Sequence, residues 1–162
     1  MVDNQQDNAP ERPPKRRFWQ NFYTEESGEI RKILMLSSLV LSFLLLIVHI
    51  TSYILLMPLL EKVFGGAPRL VATLAEALIP ALIAVGAVML CWPLFKDKRV
   101  LPAAYIWLVL FALVIFVAVL IKLKDDPEAR DLFLYIFSWD AVPSLLIGNF
   151  AAWRRYLSFI DR

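Results

Sequence analysis

The chain carries one cysteine, Cys91, and one cysteine makes neither an intramolecular disulfide nor a paired-cysteine metal site. Its five glycines form no glycine-rich phosphate loop, and no nucleophile elbow occurs. Charge is nearly missing from four long stretches, which leaves little chain for a soluble domain with a polar surface. These gaps argue against a redox protein built on cysteine pairs, a nucleotide-binding enzyme and a serine hydrolase. The basic N-terminal run is too short to suggest nucleic acid. No cofactor is expected, and no enzyme motif is complete.

What is present is hydrocarbon. Of the 162 residues, 59% are hydrophobic, and mean hydropathy is +0.61. The apolar residues gather at roughly 33–60, 71–95, 100–123 and 132–153. About 20 such residues span a bilayer core as a helix, and each run suffices. The runs are continuous rather than alternating, and helices satisfy their own backbone in lipid. The expected fold is therefore all-α: a four-transmembrane-helix bundle over residues 30–162, preceded by a disordered tail over residues 1–29. The first run is too long for a signal-peptide core and reads as a retained helix.

Charge sets the expected orientation. With the N-terminus cytoplasmic, twelve of the seventeen Lys and Arg residues lie on the cytoplasmic side, including Lys96, Lys98 and Arg99 in a short turn. Lys62, Arg69, Lys122, Lys124 and Arg130 lie opposite, beside several acids. Both termini are thus expected inside. In the tail, Lys15, Arg16 and Arg17 precede Phe18 and Trp19, a pairing suited to the headgroup zone. It reads as a topology anchor, with a lipid-regulated or partner-binding tail as the alternative.

Composition also suggests packing. Helix two is rich in alanine and carries Gly86, which makes it the candidate for the bundle centre. Helix three, with Trp107, Phe111 and Phe116, is expected to face lipid. The short turn between them predicts antiparallel neighbours. Pro80 and Pro143 each remove an internal hydrogen bond and should kink helices two and four.

Three ionisable residues fall inside the spans: His49, Glu76 and Asp140. An ionisable group within a span costs about 2.5–3.5 kcal/mol on insertion scales, so each should face the interior and find a partner. Tyr53 shares the helical face of His49, and Ser144 that of Asp140. Ser38 and Ser42 extend a polar line along helix one. The expectation is a cluster in which His49 contacts Glu76 or Asp140. It could fix helix packing or relay protons in a carrier or sensor. No helix supplies two of these ligands at i, i+3 or i+4, so a metal site is disfavoured. An aspartyl hydrolase lacks its flanking signals. The leading expectation is a non-enzymatic accessory or assembly subunit, partnered by the bilayer and by another membrane protein or its own copies; the alternative is a small proton-linked carrier or sensor.

One stretch, Leu94-Phe95-Lys96-Asp97-Lys98-Arg99-Val100-Leu101-Pro102 running into Tyr105-Ile106-Trp107, resembles the central hairpin of the YdgK-like family of small bacterial inner-membrane proteins. Pro143 and Arg154-Arg155 match its last helix and basic end. The glycine-rich entry of that family is replaced here by Gly28-Glu29-Ile30-Arg31. The resemblance implies four spans in a bacterial inner membrane and no particular activity.

Overall fold

The computed structural model describes residues 22–24 and 29–160, in two units, Met1–Arg31 and Lys32–Arg162. Lys15 to Trp19, read as an interface anchor, lie outside the described residues. In the first unit Thr24 and Ile30 form an antiparallel bridge. The Arg31 amide donates to the Tyr23 carbonyl at 2.9 Å, and its guanidinium Nε donates to the Thr24 carbonyl at 3.2 Å. Backbone pairing thus joins the described residues at the end of the tail; residues 1–21 and 25–28, where composition predicts disorder, lie outside the described residues.

The second unit is helical. The helices are α1 (Lys32–Phe64), α2 (Arg69–Cys91), α3 (Val100–Lys122), α4 (Pro127–Ile136) and α5 (Val142–Ile160). A 3-10 turn (Trp92–Leu94) follows α2, and a π turn (Phe137–Ala141) joins α4 to α5. Among the described residues four helical segments are long and apolar enough to cross a membrane, with α4, the π turn and α5 together making the fourth. This is a multi-pass integral membrane protein. The fourth span has the lowest mean hydropathy, 1.3 against 2.2–3.0 for the others, and carries Asp140 within it.

The ends follow from local chemistry. At about 1.5 Å per residue α1 is about 50 Å long, beyond the roughly 30 Å hydrocarbon core, and Glu61 and Lys62 are exposed on its last turn. The Gly65 amide closes it on the Glu61 carbonyl at 2.8 Å, and Pro68 precedes α2. At the other end of α2, Lys98 Nζ donates to the carbonyls of Trp92 (2.9 Å) and Phe95 (2.7 Å). That cation also lies 5.4 Å from the centre of the Trp92 ring. Asp126 caps α4 by accepting from the Ala129 amide at 3.0 Å, ahead of Pro127 at the first helical position. Pro143 has no N–H to give the Trp139 carbonyl. The turn before it widens, so the Val142 amide reaches back five residues to the Phe137 carbonyl.

The helices are arranged as a square. α1 packs on α2 and α3, and α5 packs on the same two. Hence α2 and α3, expected as neighbours, stand on a diagonal, and no helix is central. The short turn fixes their antiparallel sense but not their contact.

α3 is also not the lipid-facing helix expected. Val100 through Tyr105 and Leu108 are buried, and only its second half turns a broad apolar face outward. Small residues explain this. Ala103 and Ala104 meet a core that includes Ala81, Ala84, Ser38, Ser42, Gly148 and Ala152, and such side chains let helices approach closely. The aromatics that suggested lipid exposure pair with other rings. Phe111 lies 4.7 Å from Phe43, and Phe116 lies 4.5 Å from Phe137 and 5.8 Å from Phe133.

Tyr105 binds the square together. It is wholly buried, and its hydroxyl reaches across the diagonal toward the Ala84 carbonyl at 3.4 Å. Its ring passes over Gly148, where a Cβ would come within 2.7 Å of the Tyr105 hydroxyl. The buried residues therefore concentrate in the half of the bundle nearest the 95–99 turn. Toward the other end few residues are buried.

Candidate functional site

A cavity of about 210 Å³ lies where the close-packed half ends. All four spans contribute to its walls. His49 and Tyr53 come from α1, Pro80 from α2, Leu108 and Ala112 from α3, and Phe133, Phe137, Asp140 and Ser144 from the fourth span. Its surface is almost entirely apolar. The rim includes Ile50, Ile83 and Ile115, which are exposed at mid-helix positions, so the cavity opens toward the hydrocarbon.

His49 Nδ1 lies 2.7 Å from the Leu45 carbonyl, one turn back on α1. A carbonyl oxygen only accepts, so Nδ1 carries the proton, and in the neutral ring Nε2 is an acceptor. Nε2 is buried without a hydrogen-bond partner. Asp140 is 5% exposed, and its Oδ1 is likewise unpartnered. Among the described residues only three buried side-chain polar atoms lack a partner, the third being Asn149 Oδ1. Two of the three thus belong to residues lining one cavity. Buried polar groups are normally satisfied, so this coincidence needs a cause.

The expected contact cluster is therefore corrected. His49 and Asp140 share a cavity, from opposite corners of the square, but are not hydrogen-bonded to each other. Glu76 is not in the cavity wall. Its Oε2 accepts from the Tyr135 hydroxyl on α4 at 3.2 Å, and that hydroxyl also lies 3.4 Å from Thr73 Oγ1. Ser144 donates to the Ala141 carbonyl at 3.4 Å. Ser38 and Ser42 form no polar path: both are fully buried and donate to carbonyls of their own helix, Met35 at 2.9 Å and Leu39 at 2.6 Å.

Residue types alone did not single out Tyr135, Phe133 or Phe137. Phe133 and Phe137 are four apart and so share a helical face, a signal that was available. With Phe116 they form an aromatic wall, ring centres 4.5–5.9 Å apart. Pro80 has the further effect of withholding an N–H from the Glu76 carbonyl, so acid and freed carbonyl belong to the same residue. Among the described residues no group of three or more His, Cys, Asp or Glu side chains is placed to hold a metal ion.

The Tyr135–Glu76 bond ties α4 to α2 at the open end. Tyr135→Phe is expected to lower stability by about 0.6–1.7 kcal/mol, the range for interhelical hydrogen bonds in membranes. Unfolding in mixed micelles reads this directly. No change would mean that Glu76 is satisfied by water in its own surroundings.

No protein-family model, curated protein or solved structure matches this chain.

Proposed function

We propose that this is a non-catalytic membrane protein that binds a small molecule in the central cavity and couples binding to protonation of His49 and Asp140, as a proton-linked carrier or sensor. The observation that supports it is a pair of unpartnered buried polar atoms carried by two of the residues that line one apolar cavity. A packing device would satisfy every buried polar atom of the pair, whereas His49 is bonded through Nδ1 alone and Asp140 Oδ1 not at all. The ionisable neighbours of this region are His49 and Tyr53 on α1, Glu76 on α2 and Tyr135 on α4; α3 adds none to the cavity wall.

The chain has one histidine, so nitrogen-15 histidine labelling gives a single imidazole signal. In lipid nanodiscs that signal is expected to respond to pH, and its midpoint to move in Asp140→Asn. A ring held in one protonation state throughout, indifferent to Asp140, would remove the proton linkage.

The accessory-subunit reading draws on a different feature. Gly86 is exposed on α2, with nothing within 4 Å of where its Cβ would lie, which leaves a notch among outward apolar side chains that a neighbouring helix fits. Native mass spectrometry from the source membrane separates the two, since a reproducible heteromer favours the subunit. The bacterial inner membrane and cytoplasmic termini belong to this proposal too, on the strength of the hairpin resemblance and the basic turn.

A further inference from the structure

The two unpartnered groups share one polarity. Hydrogen-bonded to Leu45 through Nδ1, the neutral His49 ring offers an acceptor at Nε2, and a carboxylate at Asp140 offers only acceptors. Neither atom is open to the cavity with the side chains as they stand, so an occupant reaches them by turning both side chains toward it; it must bring donors, and a positive charge on it would offset that of the carboxylate. The remaining wall is hydrocarbon and aromatic, with the Phe133 and Phe137 rings held in place by Phe116. Ring faces attract cations. An apolar cavity of about 150 Å³ takes a benzene molecule, so about 210 Å³ has room for one ring and a short polar arm. The rim at Ile50, Ile83 and Ile115 opens at hydrocarbon depth, which admits a molecule already dissolved in the bilayer.

From this geometry we infer that the cavity binds a small lipophilic amine as its ammonium form, an inference that rests on the cavity being a binding site. The ammonium faces Asp140 and donates to His49 Nε2, and the ring lies against Phe133 and Phe137. Carboxylates and plain hydrocarbons of the same size are discriminated against. The first places like charge beside Asp140; the second leaves both acceptors unsatisfied.

The test uses the full-length protein in nanodiscs of zwitterionic lipid with three probes of one size: phenethylamine, propylbenzene and hydrocinnamate. Affinity is read by equilibrium dialysis, and engagement of the site by the His49 imidazole signal. Phenethylamine is expected to bind about tenfold tighter than either isostere, the factor that 1.4 kcal/mol provides, and to shift the Nε2 resonance. Asp140→Asn should erase that preference. The ranking of probes on the unaltered protein stands even if the variant misfolds. Equal or tighter binding of propylbenzene or hydrocinnamate overturns the ligand class and leaves the binding site. Failure of all three probes overturns the ligand class; if the imidazole signal is also unresponsive to pH, the proposed function falls with it.

Discussion

Replacing Tyr105 by alanine is expected to lower the stability of the bundle by about 3–5 kcal/mol, the range for truncating a fully buried aromatic side chain. Tyr105 is wholly buried and reaches between helices that stand on a diagonal of the square. Its loss opens a void at the crossing point of the square, bordered by Ala84 and Gly148. Gly148→Ala attacks the same contact from the other side. The added methyl would meet the tyrosine ring at 2.7–2.9 Å, and a ring enclosed in the core has little room to retreat. About 1–3 kcal/mol of overpacking follows. The pair should be strongly non-additive, because Gly148→Ala loses its clash once Tyr105 is alanine and partly fills the void. Unfolding of the four species in one detergent system gives the coupling. Simple additivity would show that the ring and the glycine are not the joint described.

Asp140→Leu is expected to raise stability, by up to about 2.5–3.5 kcal/mol, while abolishing amine binding. The carboxylate is buried with Oδ1 unpartnered and sits within electrostatic reach of Glu76, so the bundle gains little from it and bears the burial. The cavity beside it leaves room for the leucine methyls. A packing role predicts the opposite sign, because removing one partner of a buried polar contact strands the other. The same unfolding assay, run beside probe binding, therefore decides whether Asp140 serves the fold or a ligand. A clear destabilisation would count against the binding site.

The four spans were legible because they depend only on local composition: a run such as 100–123 has no other stable setting than lipid. Of the two interior prolines, Pro143 yields a π turn where a simple kink was expected, and Pro80 lies inside an unbroken α2. Helix neighbours were not legible. Adjacency in sequence suggested α2 beside α3, whereas the square is decided by which faces carry small residues, a property of helix rotation. The candidate residues were found by type, and His49, Tyr53, Asp140 and Ser144 do meet at one cavity. Their relation differs from the one expected, a contact of His49 with Glu76 or Asp140. His49 is served by its own backbone, and Glu76 by a tyrosine whose reach across helices no spacing rule reveals.

The π turn carries a consequence for how this chain can vary. With five residues in its wide turn, the fourth span holds one residue more than an uninterrupted α-helix would need. That surplus sets the phase between the stripe before it, Phe133 and Phe137 on the cavity, and the stripe after it, Ser144, Gly148, Ala152 and Tyr156 in the core. Deleting a single residue there would heal the backbone into regular helix. It would also rotate one stripe by about 100° against the other, carrying either the cavity wall or the core face out toward lipid. Lengthening or shortening the span is therefore tolerated at its two ends and forbidden at its middle, where the locally better helix is the wrong one.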